Sequence, residues 1–435
     1  MRNKLYNKLR KRPFIRNVMI VASGTALAQL IALALTPIIT RLYGPEAYGL
    51  LGVFRSIIGI VTPIAALTYP IAIVLPKNKK DAKGLVFLSL IITLTVAGVV
   101  GISLLFFQES LVQLFKIEVI ASYLFLIPIV IVFAGFRQVA EQWLIRAKKF
   151  GITAKVTIIH VLFIQGGQVG FGLFNPIATV LIITTALGDG LKAFMMFKGA
   201  TRASFRDIKN SISYPQIIQL AKKYSDFPVF RAPEVFINAV SQGLPVLMLT
   251  SFFGPASAGF YSLGRTVLAI PSQLIGKSVG DVFYPRISEA ANNGENLFKL
   301  IKKATLILGI IGIIPFGLII AFGPALFSFI FGPEWKEAGG YARWIALWVL
   351  FVFMNGPSIK ALPVLSAQAF HLKFTTFGLI IRLIALSIGY FIFMSDYVAI
   401  AIYGIVGSIL NIYLIIKTLK KANQFDKTVD KFNTI

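Results

Sequence analysis

Apolar runs of about twenty residues or more follow one another along most of this 435-residue chain, separated by short polar or Gly/Pro-containing joints. A helix needs about 20 such residues to cross a ~30 Å hydrocarbon core, where backbone polar groups must be satisfied within the segment. Twelve spans can be counted, at 17–40, 50–75, 84–107, 120–144, 156–174, 176–197, 227–252, 259–284, 304–323, 341–365, 374–394 and 398–416. The first is longer than the apolar region of a signal peptide and has no small-residue cleavage site before the next span, so it is read as retained. Composition agrees: 57% of residues are apolar and 14% charged, against about 25% charged in soluble domains. Cysteine is absent, which excludes thiolate metal sites, disulfides and cysteine nucleophiles. His160 and His371 are the only histidines.

The few charges are biased in sign: 43 Lys and Arg against 17 Asp and Glu, a net +26. Positive loops stay cytoplasmic. The N-terminal tail carries seven basic residues, the joints after even-numbered spans carry most of the others, and the opposite joints hold only Arg41, Lys116 and Lys336. Both termini are therefore expected in the cytoplasm, and the basic excess reports topology rather than nucleic-acid binding. The outside joints are short, the longest being 323–340; none could fold into a catalytic domain. The longest cytoplasmic joint, 198–226, reads as an amphipathic linker between two halves, 1–197 and 227–416, followed by a cytoplasmic tail at 417–435.

The halves repeat. At an offset of 210, Tyr43-Gly44-Pro45-Glu46-Ala47-Tyr48-Gly49 faces Phe253-Gly254-Pro255-Ala256-Ser257-Ala258-Gly259, and Arg55 faces Arg265 without a gap. Six spans per half give the halves the same orientation, as in two-lobed transporters with a pathway between lobes.

Charges inside spans cost at least ~2.5 kcal/mol each at the bilayer centre and are functional candidates by default. Nine basic residues (Arg55, Arg137, Lys192, Arg231, Arg265, Lys277, Arg343, Lys360, Arg382) stand against four acids (Glu141, Asp189, Glu234, Asp281). Helical spacing puts Arg55, Thr62 and Tyr69 on one stripe of span 2. Arg231, Glu234, Asn238 and Gln242 share a stripe of span 7, Arg265 heads a polar face of span 8, and Gln29 lies on a similar face of span 1. Such faces avoid lipid, and a shared hydrated cavity accommodates them. Arg137 with Glu141, and Lys277 with Asp281, are i,i+4 pairs read as structural or gating. Asp189 with Lys192 reads as a solvated end pair, while Arg343, Lys360 and Arg382 are read as snorkelling from span ends. His160, Gln165 and Gln168 read as packing groups. An apolar groove beside a cationic cavity suits an amphiphile with an anionic head, since guanidinium forks match phosphate. There is no Walker A motif, so the drive is expected from an ion gradient, the membrane potential or the substrate gradient.

The stretch from Ala22 to Gln29, the run from Arg41 to Gly49, Phe253-Gly254-Pro255 through Arg265, the run Asp281 to Ser288, and Phe331-Gly332-Pro333-Glu334-Trp335 together resemble one family. It is the polysaccharide transporter branch of the MOP superfamily, the Wzx-type O-antigen and exopolysaccharide flippases, related to MATE exporters and lipid II flippases. The resemblance extends over the whole chain. It implies an all-α integral membrane protein with two six-helix bundles around a V-shaped cavity. It also implies a non-enzymatic flippase in the bacterial cytoplasmic (inner) membrane, moving an undecaprenyl-diphosphate-linked oligosaccharide to the outer leaflet by alternating access. Partners would be that glycan, membrane lipids, and the polymerase and glycosyltransferases of the same route. No cofactor is implied beyond coupling to H+ or Na+ or to the membrane potential. By role, Arg55, Arg231 and Arg265 are the candidates for the diphosphate. The alternatives are a MATE-like exporter of small molecules, disfavoured by the arginine-rich charge pattern, and a membrane polysaccharide polymerase or ligase, disfavoured by the short outside loops.

Overall fold

The computed structural model describes residues 13–200, 214–272 and 277–433. Helix α1 (Pro13–Val61) contains the first expected span and the first half of the second, joined at Gly44 (φ 69°, ψ 173°). Then come α2 (Lys79–Phe115), α3 (Ile127–Arg146), α4 (Phe150–Gly172), α5 (Ala178–Ala200), the short α6 (Tyr214–Lys223) and α7 (Ala232–Phe253). The remainder is α8 (Pro255–Pro271), α9 (Lys277–Asn292), α10 (Leu297–Phe331), α11 (Lys336–Met354), α12 (Gly356–Ala361), α13 (Gln368–Phe391) and α14 (Asp396–Asn433). Ten helical stretches among the described residues are long and apolar enough to cross a membrane, and the first of them, Ser23–Ile64, takes in most of the first expected span and the first part of the second. The expected eighth span corresponds to α8 and the start of α9. The chain divides into two compact units at 255, Met1–Pro255 and Ala256–Ile435, so α7 packs within the first unit, one span later than the expected linker.

At the Gly-Pro joints 44–45, 254–255 and 332–333 the glycine takes positive φ with extended ψ: Gly44, Gly254 (φ 93°, ψ 174°) and Gly332 (φ 119°, ψ 158°). Proline disfavours helical ψ at the residue before it, and only glycine combines extended ψ with positive φ without strain.

The largest departure from expectation is span 2. A continuous helix over 50–75 would carry Arg55, Thr62 and Tyr69 on one face. Instead α1 ends at Val61, and the chain passes through a 3-10 turn (Thr62–Ile64), left-handed Leu67 and Thr68, and a second 3-10 turn (Tyr69–Val74). Pro63 and Pro70 stand near the start of each turn and remove the N–H groups a continuous helix would need. Backbone freed inside a membrane must find other partners, and side chains supply them. Gln138 Nε2 donates to the Thr62 carbonyl at 2.6 Å, and Arg146 donates to the carbonyls of Ile73, Val74, Lys77 and Asn78 at 3.1–3.5 Å. Thr68 Oγ1 donates to the Phe227 carbonyl and the Tyr69 hydroxyl to the Ala221 carbonyl.

The linker expectation falls partly on residues 201–213, which lie outside the described residues; α6 is the helix that follows. Its buried Ile217 and Leu220 join the core of the first unit with Leu85, Val86 and Trp143, and Gln216 donates to Asp81 at 3.0 Å. In the second unit α14 continues as helix well past the expected span end at 416. Its buried Asp426 accepts from the backbone N–H groups of Leu297 and Phe298, both at 2.9 Å, closing the start of α10. Beside it, Phe283, Ile287, Leu297, Ile301 and Ala422 form a buried cluster.

Candidate functional site

In the first unit, a short π-helical turn (Phe227–Arg231) leads into α7, and one face of that helix carries a polar ladder. Arg231 Nη1 donates to both oxygens of Glu234 at 2.9 and 2.8 Å, with the two side chains 51% and 58% exposed. One to two turns further, Gln242 Nε2 donates to Asn238 Oδ1 at 3.1 Å, again on an exposed face. The stripe read from spacing is therefore present, and it carries internal charge compensation at its Arg231 end. Gly243 lies against Ile60 and the Ser56 carbonyl of α1, and Arg55, the residue before Ser56, is exposed. Gln29 is half-buried on the first segment of α1. Tyr69 does not share the Arg55 face: it is 5% exposed, in the core, because the chain breaks between the two residues.

Between α3, α4 and α5 lies a second group of charges. Arg137 and Glu141 pair at 3.5 Å, as their spacing predicts. Asp189, read as an end pair with Lys192, also approaches His160, with 3.6 Å between Asp189 Oδ1 and His160 Nε2. Lys192 lies in the field of Arg137, Glu141 and Asp189 together.

In the second unit, half-buried Arg265 on α8 acts electrostatically on buried Tyr403, as does Arg382. Arg382 does not snorkel. It lies well inside α13, donates through Nε to the Gly378 carbonyl at 3.2 Å, and stacks over Trp348 (5.3 Å) and Tyr403 (5.8 Å). Guanidinium over aromatic faces is favourable, more so away from water. Tyr403 also meets Trp348 and Tyr261 edge to face, at 5.4 and 6.3 Å between centroids. Arg343 has a structural partner: its Nε donates to the Ile320 carbonyl at 2.7 Å. Lys360 is exposed at the end of α12. The side chains of Lys277 and Asp281, expected as a pair, lie outside the described residues. Among the described residues no group of three or more His, Asp or Glu is placed to hold a metal ion.

A family model described as polysaccharide biosynthesis protein matches residues 38–339. The chain belongs to the polysaccharide biosynthesis protein family. It is 22% identical over 309 residues to the succinoglycan biosynthesis transport protein ExoT of Rhizobium meliloti (strain 1021); the alignment takes in 69% of this chain and 59% of that relative's length. Among solved structures it is similar to an inward-facing multidrug resistance MATE family transporter of the MOP superfamily. There the TM-score is 0.75 at 13% identity, over 92% of this chain and 96% of that one. It is also similar to the lipid II flippase MurJ in an inward closed conformation, with TM-score 0.73 at 14% identity over 94% and 90%. At such identities the likeness is one of fold. This member of the polysaccharide biosynthesis protein family is thus a multi-pass membrane protein with a fold like those of the MATE transporter and MurJ.

Sequence reasoning missed the aromatic seat of Arg382 in this family member. Trp348, Arg382 and Tyr403 lie on three different helices, so no periodicity within one span relates them. It also missed His160 as part of a charge group, for which the signal at hand was the presence of Asp189 and Lys192 on the neighbouring span.

Proposed function

We propose that this protein is a flippase of surface polysaccharide biosynthesis, moving an undecaprenyl-diphosphate-linked oligosaccharide from the cytoplasmic to the outer leaflet of the bacterial inner membrane by alternating access, without covalent chemistry. The observation that carries the reading is the placement of arginines within membrane spans of a polysaccharide biosynthesis family member. Arg55 lies exposed on α1, which meets the ladder-bearing α7 at Gly243, in the first unit, and Arg265 and Arg382 both lie near Tyr403 in the second. Guanidinium offers paired donors to phosphate oxygens, and ionisable side chains inside a membrane mark substrate pathways. In this reading Arg55 and Arg265 hold the diphosphate, Gln29, Asn238 and Gln242 meet polar parts of the glycan, and Arg231 is held in reserve by Glu234.

The proposed organisation is two six-helix bundles, 1–197 and 227–416, with the linker at 198–226 and both termini cytoplasmic. MATE- and MurJ-like proteins supply the analogy for ion-coupled motion, and here the coupling is to H+, Na+ or the membrane potential. The partners are the lipid-linked glycan, membrane lipids, and the polymerase and glycosyltransferases of the same route. Export of surface polysaccharide in cells carrying Arg55→Ala, Arg265→Ala or both tests the assignment, with membrane abundance measured alongside. Unchanged export in the double variant would overturn it.

A further inference from the structure

We propose that His160 and Asp189, with Lys192 behind them, form a proton-binding site inside the first unit whose occupancy controls the broken segment 62–78. The reading of its role as a coupling device rests on the transport function above; the site itself rests on geometry.

Five ionisable groups from α3, α4 and α5 meet here. Arg137 and Lys192 match Glu141 and Asp189 in charge, so the group is balanced while the imidazole is neutral and gains one positive charge with each proton taken up. His160 is only 13% exposed, and its Nε2 has no hydrogen-bond partner among the described residues. At 3.6 Å from Asp189 Oδ1, it stands just beyond hydrogen-bond distance. A proton on Nε2 would draw the two together, and a charge-assisted bond between them is among the stronger interactions available. Gly188 brings α5 close to α4 here: a Cβ at that position would clash with Ile164 and touch His160 Nε2 at 3.7 Å. Imidazole is the side chain whose charge changes nearest neutral pH.

The groups around His160 are accounted for on each neighbouring helix. Helix α5 supplies Asp189 and Lys192, and α3 supplies Arg137 and Glu141, which act through Lys192. Helix α1 packs along α4 from Gly24 against Ala154 to Tyr43, whose hydroxyl donates to the Gln168 carbonyl at 2.6 Å. Between those contacts its one ionisable side chain is Arg41, at the Gln168 end and away from His160.

The site has a mechanical outlet. Arg137 belongs to the charge group, and the next residue, Gln138, holds the Thr62 carbonyl at 2.6 Å where span 2 breaks. A change in the pull on Arg137 therefore reaches the first turn of the broken segment through one peptide unit of α3.

The test is hydrogen exchange of residues 62–78, read by mass spectrometry on the full-length protein in lipid nanodiscs and corrected for intrinsic rates, at about pH 5.5 and about pH 8. Protection of this segment is expected to differ about tenfold between the two. The difference should be lost in His160→Gln and Asp189→Asn and kept in His371→Gln. Equal protection at both pH values in the unmodified protein, or a pH response that survives in His160→Gln, would overturn the proposal, as would its loss in His371→Gln. Should His160→Gln not fold, His160→Asn and Asp189→Asn carry the same test. Export that ignores loss of Arg55 and Arg265 would instead sink the transport reading, so the two failures are distinguishable.

Discussion

Gly44 and Gly254, 210 residues apart, share one backbone conformation, with φ of 69° and 93° and ψ of 173° and 174°. Each precedes a proline, and each closes one helix before the next begins. The sequence repeat is thus also a repeat of local geometry, and the geometry explains why both positions are glycine. A Cβ at Gly254 would meet nothing within 4 Å, so a side chain there is opposed by the backbone alone. Gly254→Ala is expected to cost about 1–3 kcal/mol, read as a lower midpoint of thermal unfolding of the purified protein. Gly59→Ala, also in open space but at a helical position, should leave the midpoint unchanged or raise it.

Arg343 illustrates how a membrane charge can serve the backbone. Pro324 inside α10 has no N–H, which leaves the carbonyl four residues earlier, that of Ile320, without its helical donor. Arg343 Nε supplies one at 2.7 Å. Arg343→Ala is expected to destabilise by about 1–3 kcal/mol. In a Pro324→Ala background the restored N–H should make the same substitution cost less, and a double-mutant cycle on thermal stability reads the difference.

Asp426 gives the far end of α14 a defined role. Its carboxylate accepts from two N–H groups at the start of α10, both at 2.9 Å, so Asp426→Ala should cost about 1–2 kcal/mol. Limited proteolysis within 417–433 should become faster, since the capped contact docks that helical extension.

The Arg286–Glu295 pair is exposed and spans the α9–α10 turn at 2.5 Å. Hydrogen bonding to Arg286 holds the Glu295 carboxyl below its usual range. A depressed carboxylate keeps its pairing above its unfolded value and loses it as pH falls through the folded one. The pair should therefore persist at neutral pH and through mild acid, and release only in stronger acid. Because the native chain has no cysteine, a spin label at Asn293→Cys reads this directly: its mobility should stay constant through mild acid and rise below that range. Arg286→Gln should raise mobility at neutral pH, with little effect on overall stability, as expected for a surface pair.

Much of the fold was legible because lipid imposes a length and a polarity on every helix: the spans, the repeat, and the Arg137–Glu141 and Arg231–Glu234 spacings all follow from one-dimensional periodicity. Periodicity failed where the backbone leaves the helix. Thr62 and Tyr69 were assigned to the Arg55 face on a helical count, but Pro63 and Pro70 interrupt that count and turn Tyr69 into the core. It failed also where partners come from other helices. Arg382 was read as snorkelling because Trp348 and Tyr403 are distant in sequence. Asp189 was given to Lys192, its near neighbour, although His160 on α4 also meets it. The long helix after 416 was read as a tail because its docking residue, Asp426, finds its partners 128–129 residues away.

Arg231 and Arg55 make different demands on a ligand. Arg231 is already paired at 2.8 Å with Glu234, so Arg231→Ala should reduce polysaccharide export less than Arg55→Ala or Arg265→Ala. Glu234→Gln, which frees the guanidinium, should strengthen binding of an undecaprenyl-diphosphate-linked glycan to the detergent-solubilised protein, measured by native mass spectrometry.

The most direct measurement of the central claim is translocation of a fluorescent undecaprenyl-diphosphate-linked oligosaccharide in vesicles containing the purified protein, followed by quenching of label in the outer leaflet. The account predicts protein-dependent exchange between leaflets that falls about tenfold or more when Arg55 and Arg265 are both replaced by alanine, a rise of at least ~1.4 kcal/mol in the barrier to exchange. It also predicts no change in glycan length. Exchange at the rate of protein-free vesicles, exchange indifferent to both arginines, or a lengthened glycan would contradict it.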